Sequence, residues 1–173
     1  NTPGVELWRE CYSIENTTRI NLYNRDGDNH LTGEIPFWIG NLTNLTRLEL
    51  GGNQLTGEIP SEIGNLTNLT YLNLGFNEFT GSIPSEIGNL TNLISLGLHG
   101  NELNGQIPTE IGNLVNLQNI DLYQNLLSGQ IPNEIGQLIQ LEDIHLEGNQ
   151  LTGNIPSELW GLTNLTYLHL TNN

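Results

Sequence analysis

The chain has 173 residues and a formal net charge of −15, because 19 acidic residues stand against four arginines and no lysine. From residue 48 onward every formally charged side chain is acidic. Nucleic acids and anionic membranes need clustered cationic side chains, so this composition excludes both as partners and favours cationic or neutral ones. No run approaches the ~18 apolar residues of a membrane span, so we expect no membrane insertion in this segment.

The first 16 residues differ from the rest of the chain. Val5 to Tyr12 mix apolar, aromatic and charged side chains, and we expect residues 1–16 to cap the first turn of residues 17–173. Cys11 is the only cysteine, so it gives no disulfide framework. Residues 17 onward consist of repeats, and the first of them has four more residues than the later ones, in an insertion centred on Asp26-Gly27-Asp28. It lacks the later ligands of a calcium loop, including the bidentate Glu, so a polar turn is favoured.

From residue 45 onward the sequence repeats every 24 residues. The frame is Leu-x-x-Leu-x-Leu-x-x-Asn-x-Leu-x-Gly-x-Ile-Pro-x-x-Ile-Gly-x-Leu-x-Asn. Repetition with a period of about 20 to 29 residues is typical of a solenoid, whose units bury their apolar faces only against neighbouring units. The frame begins at Leu45, Leu69, Leu93, Leu117, Leu141 and Leu165.

Each frame predicts one strand, one structural Asn and one helical turn. Leu48 and Leu50 lie on one side of a strand by period-two alternation, and successive strands should stack in parallel about 4.8 Å apart. Pro60 suits the first position of a short helical turn and Gly64 suits its end. The Asn side chains are expected to satisfy backbone groups where the chain leaves each strand. They are Asn29, Asn53, Asn77, Asn101, Asn125, Asn149 and Asn173.

Leu-Thr-Gly-x-Ile-Pro runs at 31–36, 55–60 and 151–156 complete the pattern. With them the chain resembles the plant-type leucine-rich repeat family. The resemblance implies an α/β repeat solenoid: a right-handed superhelix with a concave parallel β-sheet and short 3-10 or helical turns on the convex side. It also implies a second layer of short strands at Leu-Thr-Gly. Receptor-kinase ectodomains, polygalacturonase inhibitors and microbial surface proteins of this class have extracellular recognition roles.

The outward positions of the strands change from repeat to repeat while the frame stays fixed. Gly51, Gly75 and Gly97 are among them. Exposed aromatic side chains on a rigid sheet are candidate anchors for a protein or a sugar, although aromatics are also favoured on strands by β-propensity alone. The candidate ligand-binding residues are Tyr23, Arg47, Tyr71, Phe76, His99, Asp121, Tyr123, His145, Tyr167 and His169.

Asp121, His145 and His169 occupy one column in three successive repeats, with Glu147 nearby. At a strand spacing of about 4.8 Å their side chains can converge on a divalent metal. A single column lacks the fixed ligand spacing of known sites, so a solvated polar stripe is favoured and we expect no metal.

No nucleophile, base and acid occur in a recognisable arrangement, and four His on separate turns do not make a catalytic site, so we expect no enzyme and no cofactor. Asn-x-Thr sequons recur because Asn-Leu-Thr belongs to the repeat. In a secreted eukaryotic protein some of them can carry glycan. The candidates are Asn16, Asn41, Asn65, Asn89 and Asn164.

Two functions fit this sequence. The first is an extracellular or cell-surface scaffold that binds a protein or glycan ligand through the concave face. The alternative is a structural protein that self-assembles end to end into a filament or surface array. It rests on a truncated last repeat that stops at Asn173 without a polar cap, on a start at Asn1 without an initiator Met, and on cations confined to the first 47 residues.

Overall fold

The computed structural model describes residues 4–24 and 30–173, so the insertion centred on Asp26-Gly27-Asp28 and Asn29 lie outside the described residues. Short strands and 3-10 helices alternate along the chain. In order they are β1 (Gly4–Leu7), β2 (Glu10–Ser13), β3 (Arg19–Asn21), β4 (Thr32–Gly33), η1 (Phe37–Asn41), β5 (Arg47–Glu49), β6 (Gln54–Glu58), η2 (Ser61–Asn65), β7 (Tyr71–Asn73), β8 (Glu78–Thr80), η3 (Ser85–Asn89), β9 (Ser95–Gly97), β10 (Asn104–Gly105), η4 (Thr109–Asn113), β11 (Asn119–Asp121), β12 (Leu126–Gly129), η5 (Asn133–Gln137), β13 (Asp143–His145), β14 (Gln150–Leu151), η6 (Ser157–Gly161) and β15 (Tyr167–His169).

One strand from each turn joins a seven-stranded sheet in the order β15-β13-β11-β9-β7-β5-β3. All neighbours are parallel, and Leu48, Leu72 and Leu96 lie opposite one another in register. These three side chains have no exposed surface. The predicted stack of turns is therefore confirmed, and the apolar interior is shared between successive turns.

A second layer of short strands lies at the Leu-Thr-Gly runs. Its parallel strands form two groups, β4-β6-β8 and β10-β12-β14. A parallel bridge connects the groups by pairing Ser82, two residues after β8, with Asn104 on β10. The layer that the resemblance implied is thus confirmed. Its inward side chains, such as Leu55 and Phe79, are fully buried and close the core opposite the main sheet.

The Asn column satisfies backbone groups, as predicted. The Asn77 side chain amide donates to the carbonyl oxygens of Leu74 in its own turn (3.1 Å) and Leu50 in the preceding turn (3.0 Å). Its oxygen accepts from the Leu55 N–H (3.0 Å). Because each Asn connects two turns, the column works as a ladder of buried hydrogen bonds along the solenoid. Asn53, Asn101, Asn125 and Asn149 are buried in the same way.

The turns on the other side are five-residue 3-10 helices, and two details of the prediction were wrong. Pro60 precedes its helix in extended conformation (φ −66°, ψ 138°) and does not occupy the first helical position. Gly64 lies inside the helix, where a Cβ would come within 2.5 Å of the Glu86 carbonyl oxygen in the next turn. Its role is close packing between turns and not helix termination. Among the described residues, no helix has the length and apolarity needed to cross a bilayer.

The N-terminal segment forms an antiparallel hairpin of β1 and β2. Val5 and Leu7 are buried and belong to the same core as the repeats. The Trp38 indole on η1 donates to the Glu6 carbonyl oxygen (2.9 Å), which fixes the hairpin against the first helical turn. Cys11 is exposed and free. These contacts fit a cap at this end, while its boundary at residue 16 stays a prediction.

Candidate functional site

The outward surface of the seven-stranded sheet, together with the residues between each strand and its buried Asn, is called the strand face here. All ten candidate ligand-binding residues lie on it or at its edge. Phe76 and Tyr167 are about half exposed, at 49% and 56%. Gly51, Gly75 and Gly97 face this surface as predicted, but they are buried because the side chains of Tyr23, Asn73 and His99 cover them.

A continuous row of rings crosses five turns of the strand face. His99 stacks on Tyr123, with centroids 4.7 Å apart and planes 9° apart, and Phe76 meets the His99 ring edge-on at 4.9 Å. The row continues from Tyr123 to His145 (6.4 Å) and from His145 to His169, which stack at 4.6 Å. Parallel register places His99 beside Tyr123 and His145 beside His169, because the two residues of each pair occupy equivalent positions one turn apart. Phe76 and His145 meet rings at neighbouring, non-equivalent positions. We call these five side chains the ring row.

Two glycines make room for the ring row. The His99 ring occupies the space that a side chain at Gly75 would need, and a Cβ at Gly100 would come within 2.5 Å of the Phe76 ring. A larger residue at either position would displace the ring above it. The sequence signal was available, because aromatic or His side chains follow glycines one turn earlier or later in the same columns.

Phe76 has a left-handed backbone conformation (φ 52°). The equivalent position is glycine in three other repeats, at Gly52, Gly100 and Gly148, all with positive φ. A bulky residue in this region costs about 1–2 kcal/mol relative to ordinary conformations. Gln124 (φ 53°) and Asn172 (φ 60°) have the same conformation at this position but lie outside the ring row. Phe76 is therefore held at a strained position where glycine fits better, which is the kind of outlier found at functional sites.

Burial shapes the charge of the ring row. Desolvation lowers the pKa of His99, with Asp121 opposing the shift, and desolvation also raises the pKa of the Asp121 carboxyl. Burial raises the pKa of the Tyr123 hydroxyl, and the negative charges of Asp121 and Glu147 add to that shift. His99 Nδ1 is buried and has no hydrogen-bond partner among the described residues. Near neutral pH the middle of the row is thus an uncharged aromatic surface beside acidic groups.

Arg47 and Tyr71 form a separate cluster on β5 and β7. The Arg47 guanidinium lies 3.7 Å from the Tyr71 ring centroid and also pairs with Glu49. The Glu49 carboxylate neutralises the positive charge of Arg47, so the net charge of the cluster is close to zero. We call this cluster, with Tyr23, the N-terminal platform. Tyr23, at the edge of the strand face, covers Gly51 and is 45% exposed. Eight of the ten predicted residues therefore belong to an N-terminal platform or to the ring row, and Asp121 and Tyr167 lie beside the ring row.

The column of Asp121, His145 and His169, for which no metal was predicted, is only partly assembled. Parallel register places Asp121 opposite His145 and His145 opposite His169. The metal-ligating atoms that come within 4.8 Å of one another belong to His145, Glu147 and His169, and Asp121 is not among them. Glu147 lies two residues after His145, on the same side of the chain, and this spacing was the signal that could have found the group.

The candidate glycosylation residues fall into different environments. Asn41, Asn65 and Asn89 are exposed at the ends of η1, η2 and η3, and Asn65 and Asn89 line a shallow groove along that side with Val115. Asn164 is also exposed, but its amide donates to the Ile139 carbonyl oxygen (2.9 Å) and helps to join two turns. Glycosylation at all five, including Asn16, stays a prediction.

Comparison with known proteins identifies the family. A family model described as leucine-rich repeat region matches residues 27–124, more than half of the chain. A second, described as leucine rich repeat, matches residues 116–138 and 140–162. No curated protein sequence matches the chain.

Solved structures agree. The Arabidopsis thaliana receptor kinase ectodomain GASSHO1/SCHENGEN3, in complex with CASPARIAN STRIP INTEGRITY FACTOR 2, is 46% identical over 83% of this chain with a TM-score of 0.82. The ectodomain of the Arabidopsis receptor kinase HAESA, in complex with the peptide hormone IDA and a co-receptor, is 40% identical over 88% with a TM-score of 0.84. A leucine-rich repeat protein of Leptospira interrogans is 43% identical over 82% with a TM-score of 0.71.

The chain is much shorter than these proteins. It corresponds to 17% of the GASSHO1/SCHENGEN3 chain, 25% of the HAESA chain and 35% of the Leptospira protein. The family assignment rests on the repeat itself. The family models match the repeat residues, and those residues form the stacked parallel strands and the buried Asn ladder. The chain belongs to the leucine-rich repeat family.

Proposed function

We propose that the chain is a non-catalytic extracellular scaffold that binds a peptide or a protein segment through its strand face. The observation that carries the proposal is the ring row, with Phe76 kept in a left-handed conformation at its edge. Rigid aromatic rings lose little conformational entropy on binding and offer large contact areas, which makes them frequent hot spots. A strained Phe that the fold does not need has its best explanation in a ligand.

The relatives support this class of ligand. GASSHO1/SCHENGEN3 and HAESA are receptor ectodomains, and the HAESA complex contains a peptide hormone. Leucine-rich repeat ectodomains are ligand-binding folds, and the extracellular location proposed here follows the same resemblance. Surface labelling of intact producing cells checks the location, and a protein protected from labelling would count against it.

Charge defines the proposed ligand further. Asp121, Asp143 and Glu147 surround the C-terminal half of the ring row, and no Lys or Arg follows Arg47 in the sequence. Opposite charge steers association and suppresses binding of like-charged partners. We therefore expect the ligand to carry Lys or Arg where it contacts β11 and β13, and apolar side chains where it contacts Phe76 and Tyr123.

Replacing Phe76 with glycine is expected to separate binding from stability. Peptides selected on the wild-type chain from a random phage-displayed library should bind the variant about tenfold more weakly or worse, since an aromatic hot spot is lost. The free energy of unfolding should stay the same or rise by up to about 1 kcal/mol, because glycine relieves the left-handed strain. Isothermal titration calorimetry and urea unfolding measure the two quantities.

The matched control is Val115→Ala. Val115 is 50% exposed, as Phe76 is at 49%, but it lies on the side of the helical turns. This variant should bind the selected peptides as the wild type does. Equal affinity of the Phe76→Gly variant, or equal losses in both variants, would sink the proposal. Failure to select any peptide, together with binding to a glycan array that Phe76→Gly abolishes, would replace the peptide by a carbohydrate at the same face.

End-to-end self-association stays a separate hypothesis. Light scattering across protein concentrations tests it. A mass that grows with concentration supports assembly of this chain, and a constant mass of 19.2 kDa eliminates it.

A further inference from the structure

The His145–Glu147–His169 group lies at the C-terminal end of the ring row. One metal-ligating atom from each residue lies within 4.8 Å of the other two. His145 Nδ1 lies 3.7 Å from Glu147 Oε1. That distance is too long for a good hydrogen bond, so the two groups face each other without a strong direct bond.

Glu147 is the unusual member of the group. Its Oε2 atom is buried and has no hydrogen-bond partner among the described residues. A buried carboxylate oxygen without a donor is costly, and an ion or an ordered water is the ordinary way to satisfy it. This atom belongs to a residue that already faces two imidazoles, so a cation there satisfies all three side chains at once.

The surrounding charge favours a cation as well. Asp121 on β11 lies opposite His145 in the parallel register. Asp143 lies on the same strand as His145, β13. The sequence supplies no Lys or Arg beyond residue 47 to neutralise them. The Tyr123 and Tyr167 rings border the group: the Tyr123 centroid lies 6.4 Å from that of His145, and the Tyr167 centroid lies 6.3 Å from that of His169.

We propose that His145, His169 and Glu147 form a binding site for a divalent transition metal of the zinc class. Two imidazoles and one carboxylate suit Zn²⁺, whereas Mg²⁺ and Ca²⁺ prefer oxygen ligands alone. Ligand atoms of zinc lie about 2.0–2.2 Å from the ion, so the three side chains must draw somewhat closer than 4.8 Å. His169 is exposed and can rotate to do so. Three protein ligands leave a coordination position open for water or for a donor from a partner.

The test uses untagged protein and ZnCl₂ alone, so it does not depend on the ligand proposed for the strand face. Calorimetry should show one Zn²⁺ bound per chain, with an increase in Tm, and no comparable binding of Mg²⁺. Glu147→Gln and His169→Ala should each weaken the affinity by about tenfold or more, because even loss of an outer-shell partner costs about 10–100-fold. Circular dichroism confirms that each variant folds.

His30→Ala is the matched control. His30 is also an exposed histidine, but it belongs to the first turn, where its Nδ1 lies 3.3 Å from the Gly52 carbonyl oxygen. The variant should bind Zn²⁺ as the wild type does. Three results would overturn the site: no Zn²⁺ binding by the wild type, equal binding of Mg²⁺, or unchanged affinity in both Glu147→Gln and His169→Ala. A folded Glu147→Gln variant that loses Zn²⁺ but keeps its Tm in metal-free buffer supports it.

Discussion

Replacing Asn101 with alanine is expected to lower the free energy of unfolding by about 2–4 kcal/mol. The Asn101 oxygen accepts from the Phe79 N–H (3.1 Å), and its amide donates to the Leu74 and Leu98 carbonyl oxygens (3.1 and 3.0 Å). Those carbonyls keep a second donor, Asn77 and Asn125 respectively. The Phe79 N–H keeps none, so the main cost is one buried donor without a partner, added to the lost bonds and a small cavity.

Urea unfolding followed by circular dichroism measures this cost. Asn104→Ala is the control in the same repeat, because Asn104 is an exposed side chain on β10. Its effect should stay within about 0.5 kcal/mol. Equal midpoints for the two variants would mean that the Asn ladder does not hold the turns together.

Replacing Gly88 with alanine is expected to cost about 1–3 kcal/mol through overpacking. A Cβ at this position would lie 2.6 Å from the Glu110 carbonyl oxygen and 2.7 Å from the Glu110 Cβ in the next turn. Both atoms belong to the backbone or to its first side chain carbon, so neither can move aside alone. The two helical turns must separate, which disturbs the stack on both sides.

Gly161→Ala is the matched control for this variant. Gly161 ends η6 as Gly88 lies near the end of η3, but no described atom lies within 4 Å of a Cβ built there. Neither glycine has a positive φ, so the two substitutions differ in space and not in backbone strain. Thermal unfolding should show a lower Tm for Gly88→Ala and a nearly unchanged Tm for Gly161→Ala. The reverse order would contradict close packing as the reason for glycine in this column.

The fold was largely predictable because every repeat has the same pattern of apolar, Asn and Gly positions, and each pattern predicts the same local structure. Leu48 and its equivalents alternate with outward residues, so the strand and its buried side follow from period two. The Asn column also followed, since a polar side chain recurring inside an apolar frame needs backbone partners. Gly64 was misinterpreted because a helix-ending glycine and a close-packing glycine look alike in sequence. Only the distance to the next turn separates them.

The candidate site was predictable in membership but not in arrangement. Phe76, His99 and Tyr123 were identified from their columns, yet their contact across turns depends on ring orientation, which the sequence does not specify. The strain at Phe76 could have been predicted, because Gly52, Gly100 and Gly148 occupy the equivalent position and glycine there indicates a left-handed conformation. Glu147 was predicted only to lie near the column that Asp121 shares with the two histidines, although its position two residues after His145 places it on the same side of the chain.

Hydroxyl-radical footprinting tests the central claim, that the strand face is the binding surface. The wild-type chain is compared with and without a saturating peptide selected from the displayed library, and oxidation is measured residue by residue. Phe76 (49% exposed) should lose most of its reactivity on binding, with Tyr123, while Ile139 (60%) and Val115 (50%) on the side of the helical turns should keep theirs. Protection of Val115 and Ile139 with Phe76 still fully reactive would contradict the account.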